Sequence, residues 1–341
     1  MRHRISILLI CILFQCHFTI AQQYKYLVLK GGGIRGIAYT GALKVLEDKH
    51  ITQDIERVAG TSVGAITGTL FALGYNADQM QEIMLGLDIS SFNDGEWFFI
   101  GGQKRVRKNY GWYKGKRLEQ WVGRHIKTQT GDEQTTFMQL HHLAQTNKKY
   151  KDLYITATNL TKQRTEVFSW ESYPDMPIKT AVKASAAIPL YFGAVFIDSL
   201  GNIINQPKKN VNYNVYVDGG LLANYPINIF DTKEDIAANV IDNYTLGLNL
   251  ERPEQIAYSK EQEGIAPYNI HSFFSYVAAL YNLTIEQLNK NTNQAEERKH
   301  SIYISTSNLS PKVRHITIEQ KKMLFHNGSE GAKAFFDSDK R

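Results

Sequence analysis

Regular patterning along the chain begins at residue 24. Residues 24–30 are apolar enough for a short buried strand, and residues 36–48 then change to helical spacing, with Ala38, Ala42, Val45 and Leu46 on one side. Residues 56–59 predict a second strand. Residues 63–73 predict a helix of small and apolar residues, with Gly74 as its stop. Strand, helix, strand, helix in this order argues for an α/β fold with a mostly parallel central sheet sandwiched by helices. Asn76 can cap a further helix carrying Met80, Ile83, Met84 and Leu87.

The period is lost over residues 89–115, which are Gly-rich, aromatic and basic, and returns with helices at 118–126 and 137–146. Strands follow at 153–158 and 165–169, around a turn at Asn159-Leu160-Thr161-Lys162. Pro177 can open a helix that ends before Ile188-Pro189. Residues 199–212 are polar and read as a surface excursion. Residues 213–217 alternate into Asp218-Gly219-Gly220, and 244–250 predict another strand. Residues 271–298 read as one long helix, apolar first and polar later, before a last strand at 301–306 and a last helix at 317–336. There is no repeat and no convincing linker, so one domain over 22–341 is the simplest account, with a cap-like segment at about 89–117.

The start of the chain reads differently. Arg2 and Arg4 precede an apolar run at 5–14, too short to span a bilayer, and Thr19-Ile20-Ala21 supplies small residues. This predicts a secretory signal at 1–21, cleaved near Ala21, and an exported protein that is periplasmic, envelope-associated or secreted. Gln15 argues against a lipidated Cys16. Both cysteines, Cys11 and Cys16, fall within the leader. The mature chain therefore excludes disulfides, thiol catalysis and thiolate metal sites. The net charge of +6 falls to about +4 once Arg2 and Arg4 leave, too mild to argue for nucleic-acid binding.

Two glycine-rich pieces carry the chemistry. Gly60-Thr61-Ser62-Val63-Gly64 lies between strand-type and helix-type residues, the context in which a serine is lifted onto a sharp turn as a nucleophile. Gly60 and Gly64 supply the missing bulk, Thr61 and Val63 flank the serine, and the following helix N-terminus favours an oxyanion. Gly31-Gly32-Gly33-Ile34-Arg35-Gly36 follows the first strand and can present backbone N–H groups to the same charge. Gly31, Gly33 and Gly36 also satisfy a dinucleotide fingerprint, but the second strand ends in the serine turn and offers no acid for a ribose. A phosphate loop fails for want of a following Gly-Lys-Ser/Thr.

A serine nucleophile needs a base. None of the ten histidines occupies a glycine-framed strand end; His141-His142 fall on a polar helix face and His50 on a turn. Asp218, framed by Gly219 and Gly220 at a strand end, is a carboxylate that could reach the elbow. Taken alone it is an ordinary Asp-Gly turn.

With Ala184-Ser185-Ala186-Ala187-Ile188-Pro189, and with Asn224 and Pro226 after the Asp block, these segments together resemble the patatin-like phospholipases, in the family's order and across most of the chain. Gly220, where many members have alanine, and the polar stretch 199–212 are departures. The resemblance implies a fold of the patatin and cytosolic phospholipase A2 type. It also implies a serine lipid acyl hydrolase, of phospholipase A or lipase type, that needs no cofactor or metal. A Ser62–Asp218 dyad would form an acyl-enzyme, and Gly31, Gly32, Gly33, Arg35 and Gly36 would form the oxyanion hole. Its partners would be lipid or membrane-surface esters rather than nucleic acid. Two alternatives stand beside it: a catalytically silent lipid-binding relative, and an α/β-hydrolase esterase with a Ser-His-Asp triad, for which Ser62 arrives early in the chain.

The aromatic and basic segment has its own expectation. Trp97-Phe98-Phe99-Ile100, then Lys104 to Lys108, Tyr110, Trp112, Tyr113, Lys114, Lys116 and Arg117, could be a mobile cap touching a lipid aggregate. It could equally be a cap packed on the domain. Phe273, Phe274, Tyr276 and Tyr281 read as core.

Overall fold

A computed structural model of the chain describes residues 23–95, 98–205, 211–262, 264–289, 293–307, 309 and 315–338. The leader, Trp97 and Lys208-Lys209 lie outside the described residues, as do the side chains of residues 98–100, Phe273, Phe274 and Tyr281.

Ten strands are described: β1 (Tyr26–Leu29), β2 (Arg57–Thr61), β3 (Gly111–Tyr113), β4 (Asp152–Asn159), β5 (Arg164–Phe168), β6 (Leu190–Phe192), β7 (Val195–Ile197), β8 (Asn214–Asp218), β9 (Thr245–Glu251) and β10 (Ser301–Ser305). Eight of them form one sheet in the order β10-β9-β1-β2-β4-β8-β7, with β5 paired to β4. The strands from β10 to β4 are parallel, while β5 and β8 run antiparallel to β4, and β7 antiparallel to β8. The sheet is therefore mixed, and its parallel half is the half the βα rhythm of the sequence announces. β9 and β10 come from the last third of the chain yet pair beside β1 in the same sheet.

Alternation along the strands builds two unequal cores. Leu27, Leu29, Val58, Leu153 and Ile155 face one side, where the helices Ala38–Asp48, Val63–Ala72, Ile178–Ser185 and Ile318–Ser338 cover them. Val28, Ala59 and Tyr154 face the other side, against Ile227, Ile241, Tyr225, Ile229 and Phe230. The helix Val63–Ala72 is buried at every residue, which explains why its sequence is apolar and small all round.

Register on β4 explains how distant segments meet. β2 pairs with β4 up to Thr61↔Thr156, and β8 pairs with it from Ala157↔Asp218 onward. β5 occupies the opposite edge of β4 over Ile155–Asn159, so β2 and β8 must share the remaining edge. They run in opposite directions, and their carboxyl ends meet head-on beside Thr156 and Ala157. Ser62 and Asp218 are the residues at that meeting point.

Several expectations are corrected. The long helix over 271–298 is two helices, Phe273–Leu288 and Gln294–Lys299, the second capped by the Asn293 side chain. Within 89–117 there is a 3-10 turn (Ile89–Phe92), a helix (Phe98–Asn109) and β3, which pairs with β6 in a small separate sheet. Tyr276 is 49% exposed and is not core. Among the described residues no helix is long and apolar enough to cross a membrane.

Candidate active site

The elbow is strained where function would require it. Ser62 has φ 54 and ψ −119, backbone angles that a non-glycine residue holds only when its surroundings dictate them. The dictation comes from contacts on both sides. A Cβ on Gly60 would stand 2.4 Å from the Gly64 carbonyl, and one on Gly64 would stand 2.3 Å from the Leu29 carbonyl oxygen. Thr61 Oγ1 bonds Thr156 Oγ1 at 2.6 Å and donates to the Ala223 carbonyl at 2.7 Å, fixing the residue before the nucleophile. The Ser62 N–H donates to Ser185 Oγ at 2.8 Å.

From this position Ser62 Oγ donates to Asp218 Oδ2 at 2.7 Å. Both residues are buried, at 8% and 6% exposure. The other carboxylate oxygen, Oδ1, accepts from the Gly220 N–H at 2.7 Å. Thr158 Oγ1 donates to the Asp218 carbonyl at 3.0 Å, and the Asp218 N–H donates to the Ala187 carbonyl at 2.9 Å. Gly219 passes so near β4 that a Cβ would stand 2.5 Å from the Thr156 carbonyl oxygen. Burial pushes the Asp218 carboxyl up to about 6, with the Ser62 hydroxyl and the Gly220 N–H holding it partly down. That is near the value at which a carboxylate is both ionised and basic at neutral pH.

The glycine loop lies on the other side of the serine. A Cβ on Gly31 would meet Asn224 Oδ1 at 2.3 Å and Ser62 Cβ at 3.5 Å. The Gly31 N–H is taken by the Asn224 carbonyl at 2.8 Å. The N–H groups of Gly32 and Gly33 have no protein acceptor among the described residues, so the donor role expected of three glycines falls to these two. Gly33 turns with φ 57 into the 3-10 turn Gly33–Ile37. Arg35 is a brace: its Nε donates to the Gly32 carbonyl at 2.9 Å. Gly36 is a packing position, where a Cβ would stand 2.2 Å from Val63 Cγ2.

Three supports lay outside the expected set. Ser185 belongs to a motif visible in the sequence, but nothing local to that motif announces its bond to the Ser62 N–H. Asn224 joins the oxyanion loop to the Asp loop, and its own N–H donates to Asn289 Oδ1. Asn289 Nδ2 also reaches the Gly220 carbonyl at 3.2 Å. Asn289 carries no local signal at all, since only the fold brings it here. Among the described residues no histidine bonds Ser62 or Asp218. His141 Nδ1 pairs with Asp152 Oδ1 at 2.9 Å at the opposite end of β4 and stacks on Trp170, while His50 is exposed on a turn.

The arrangement can attack an acyl carbonyl, take up the serine proton and hold an oxyanion. Comparison with known proteins points to lipid hydrolysis as a class. The family model described as Patatin-like phospholipase matches residues 27–231. The uncharacterized protein R571 of Acanthamoeba polyphaga mimivirus is 28% identical over 317 residues, covering 91% of this chain and 93% of the relative. The probable lipid hydrolase 463L of Invertebrate iridescent virus 6 is 29% identical over 208 residues, covering 61% of this chain and 63% of the relative. Among solved structures, VipD from Legionella pneumophila superposes with a TM-score of 0.58 at 18% identity, covering 93% of this chain and 67% of that one, a likeness of fold.

Proposed function

The chain belongs to the patatin-like phospholipase family, and from that premise we propose that Ser62 and Asp218 hydrolyse lipid esters through an acyl-enzyme, without a histidine. It is an ester-hydrolysing enzyme of the lipid-degrading class. The observation that carries the dyad is the 2.7 Å bond from Ser62 Oγ to a buried Asp218 carboxylate with no histidine between them.

Asp218 Oδ2 takes the Ser62 proton as Oγ bonds to the ester carbonyl carbon. The Gly32 and Gly33 N–H groups receive the negative oxygen that results. Collapse breaks the carbon–oxygen bond to the leaving alcohol, which departs with the proton from Asp218 and leaves an acyl group on Ser62. A water then gives its proton to Asp218 and bonds to the same carbon. The Ser62 oxygen leaves and recovers that proton, releasing a fatty acid. The substrate class is a lipid or membrane-surface ester, and the basic leader with its small-residue end supports export before the enzyme meets it.

The test is hydrolysis of defined phospholipids and neutral lipids by the wild-type protein and by Ser62→Ala, with a fluorophosphonate probe mapped by mass spectrometry. Labelling at Ser62 and loss of fatty-acid release in the variant are expected. Folded wild-type protein that neither labels nor hydrolyses would sink the proposal in favour of a silent lipid-binding relative.

A further inference from the structure

The cap expectation divides once side chains are placed. Trp112 and Tyr113 pack inward: a Cβ on Gly102 would stand 2.6 Å from the Trp112 ring, and the Tyr113 ring lies 5.0 Å from that of Tyr191. Arg105 also turns in, its Nε donating to the Trp112 carbonyl at 2.7 Å. The outward-facing residues are different. Lys104, Arg107, Lys108, Lys114, Lys116 and Arg117 are exposed, and residues 98–117 contain no acid. Among the described residues none of these six side chains forms an ion pair: Asp94 is taken by the backbone N–H groups of Gly115, Lys116 and Arg117, the Arg117 guanidinium donates to the Ser91 carbonyl, and the next acid along the chain, Glu119, pairs with Lys183.

Two exposed side chains, one in this segment and one on the strand paired with it, are held out at a cost. Tyr110 has φ 60 and is 52% exposed, with one side of its ring tilted against that of Phe196 at 5.8 Å; Leu190 has φ 66 and is 70% exposed. A left-handed backbone disfavours a side chain with a Cβ, and for a branched or aromatic residue it is uncommon. The two are neighbours, because Leu190 pairs with Gly111, the residue after Tyr110. The edge also leads to the dyad. Three residues before Leu190, the Ala187 carbonyl accepts the Asp218 N–H, and Ser185 holds the Ser62 N–H.

We propose that Tyr110 and Leu190, together with the exposed cations Lys104, Arg107, Lys108, Lys114, Lys116 and Arg117, form the surface by which the protein docks on anionic lipid. This rests on the lipid-hydrolase reading and specifies where the substrate aggregate sits. An aliphatic and an aromatic prong match the interfacial zone of a bilayer, and the cations match acidic headgroups. Docking here puts the lipid at the rim from which residues 185–190 lead to the serine.

The test uses Ser62→Ala protein, so that vesicles are bound and not consumed. Vesicles of phosphatidylcholine with phosphatidylglycerol are compared with phosphatidylcholine alone by co-sedimentation. The combined change Lys104→Gln, Arg107→Gln and Lys108→Gln is expected to weaken binding to the anionic vesicles about 100-fold, and high salt to do the same to the parent. Leu190→Gly and Tyr110→Asn remove the prongs while suiting the left-handed backbone. They should fold at least as well and weaken binding about tenfold. The same changes in active protein should leave hydrolysis of a soluble p-nitrophenyl butyrate within twofold. Equal binding to neutral vesicles, or a silent Leu190→Gly, would overturn the proposal. So would an RNA oligonucleotide bound as tightly as the anionic vesicles. Vesicle binding without any ester hydrolysis would instead fault the hydrolase reading and leave the surface standing.

Discussion

Asp218 and Glu251 are both buried carboxylates at the carboxyl edge of one sheet, and their surroundings are opposite. Burial alone would raise both. Glu251 has Lys30 Nζ at 2.8 Å from Oε2 and the Arg252 N–H at 2.9 Å from Oε1, and these hold it below the usual carboxylate range. Lys30 is correspondingly raised: burial works against its charge, and Glu251 and Glu286 outweigh that. Asp218 has no such cation; it is met only by a hydroxyl and an N–H, and burial wins. The fold raises one carboxylate by withholding a counter-ion, while at the ends of β1 and β9 it pairs Lys30 with Glu251 and so holds the strand that feeds the glycine loop. Lys30 is the residue immediately before Gly31, and its carbonyl accepts the Tyr39 hydroxyl.

The widest separation between the two carboxylates should appear in activity. Ser62→Ala is expected to lower lipid hydrolysis on the order of 10³-fold or more, with Asp218→Asn equal to it and the double variant no worse, as for groups that act as one unit. Fatty-acid release per folded molecule measures this. Glu251→Gln touches no reacting atom and should fall much less. A Glu251→Gln protein as impaired as Asp218→Asn would place Glu251 in the chemistry.

The ion cluster should show itself in stability instead. Lys30→Met strands Glu251 without its main partner, and the expected loss is about 3–5 kcal/mol in urea unfolding. Changing both residues together to apolar ones of similar volume should recover most of it. A Lys30→Met protein as stable as wild type would mean that the pair contributes little.

Asp218 should behave in the reverse sense. Its folded pKa is raised from 3.8 to about 6, so the folded state binds the proton more tightly than the unfolded chain. That contribution is complete below about pH 4 and is lost as pH rises through 6. Asp218→Asn should therefore be more stable than wild type at pH 8, by up to about 2–3 kcal/mol, and lose that advantage near pH 4. Activity follows the ionised form, rising about tenfold per pH unit below 6 and levelling above it. Equal unfolding midpoints at both pH values would remove the claim that burial sets this pKa.

These contrasts were unevenly legible along the chain. The meeting of Ser62 and Asp218 is legible because each carries glycines for a local reason: Gly60 and Gly64 let strands close on the turn at Ser62, and Gly219 lets β8 touch β4. The parallel half of the sheet was readable from βα alternation. β3, β6 and β7 were not, since three residues hold no period and their partners are remote. The helix Phe98–Asn109 hid for a related reason: Gly101 and Gly102 look like a loop, yet Gly102 is the socket for Trp112. Glu251 as the partner of Lys30, and Asn289 as the brace of the Asp loop, depend on closure over more than two hundred and about seventy residues of chain, respectively. Spacing cannot report that.

The smallest predicted effect probes what holds the nucleophile rather than what ionises it. Ser185 is fully buried, and its Oγ is the acceptor for the Ser62 N–H. Ser185→Ala leaves that N–H without a partner, at about 1 kcal/mol in stability, and lets the strained φ of Ser62 relax. Because Oγ moves with the backbone, kcat should fall about tenfold, with fluorophosphonate labelling slowed in parallel and KM little changed. A purely structural role would lower the unfolding midpoint and leave labelling per folded molecule at the wild-type rate. The pH profile separates the two residues again. In Ser185→Ala the rise through pH 6 should persist, because the environment of Asp218 is intact; a displaced profile would place Ser185 in the electrostatics of the carboxylate rather than in the geometry of the serine.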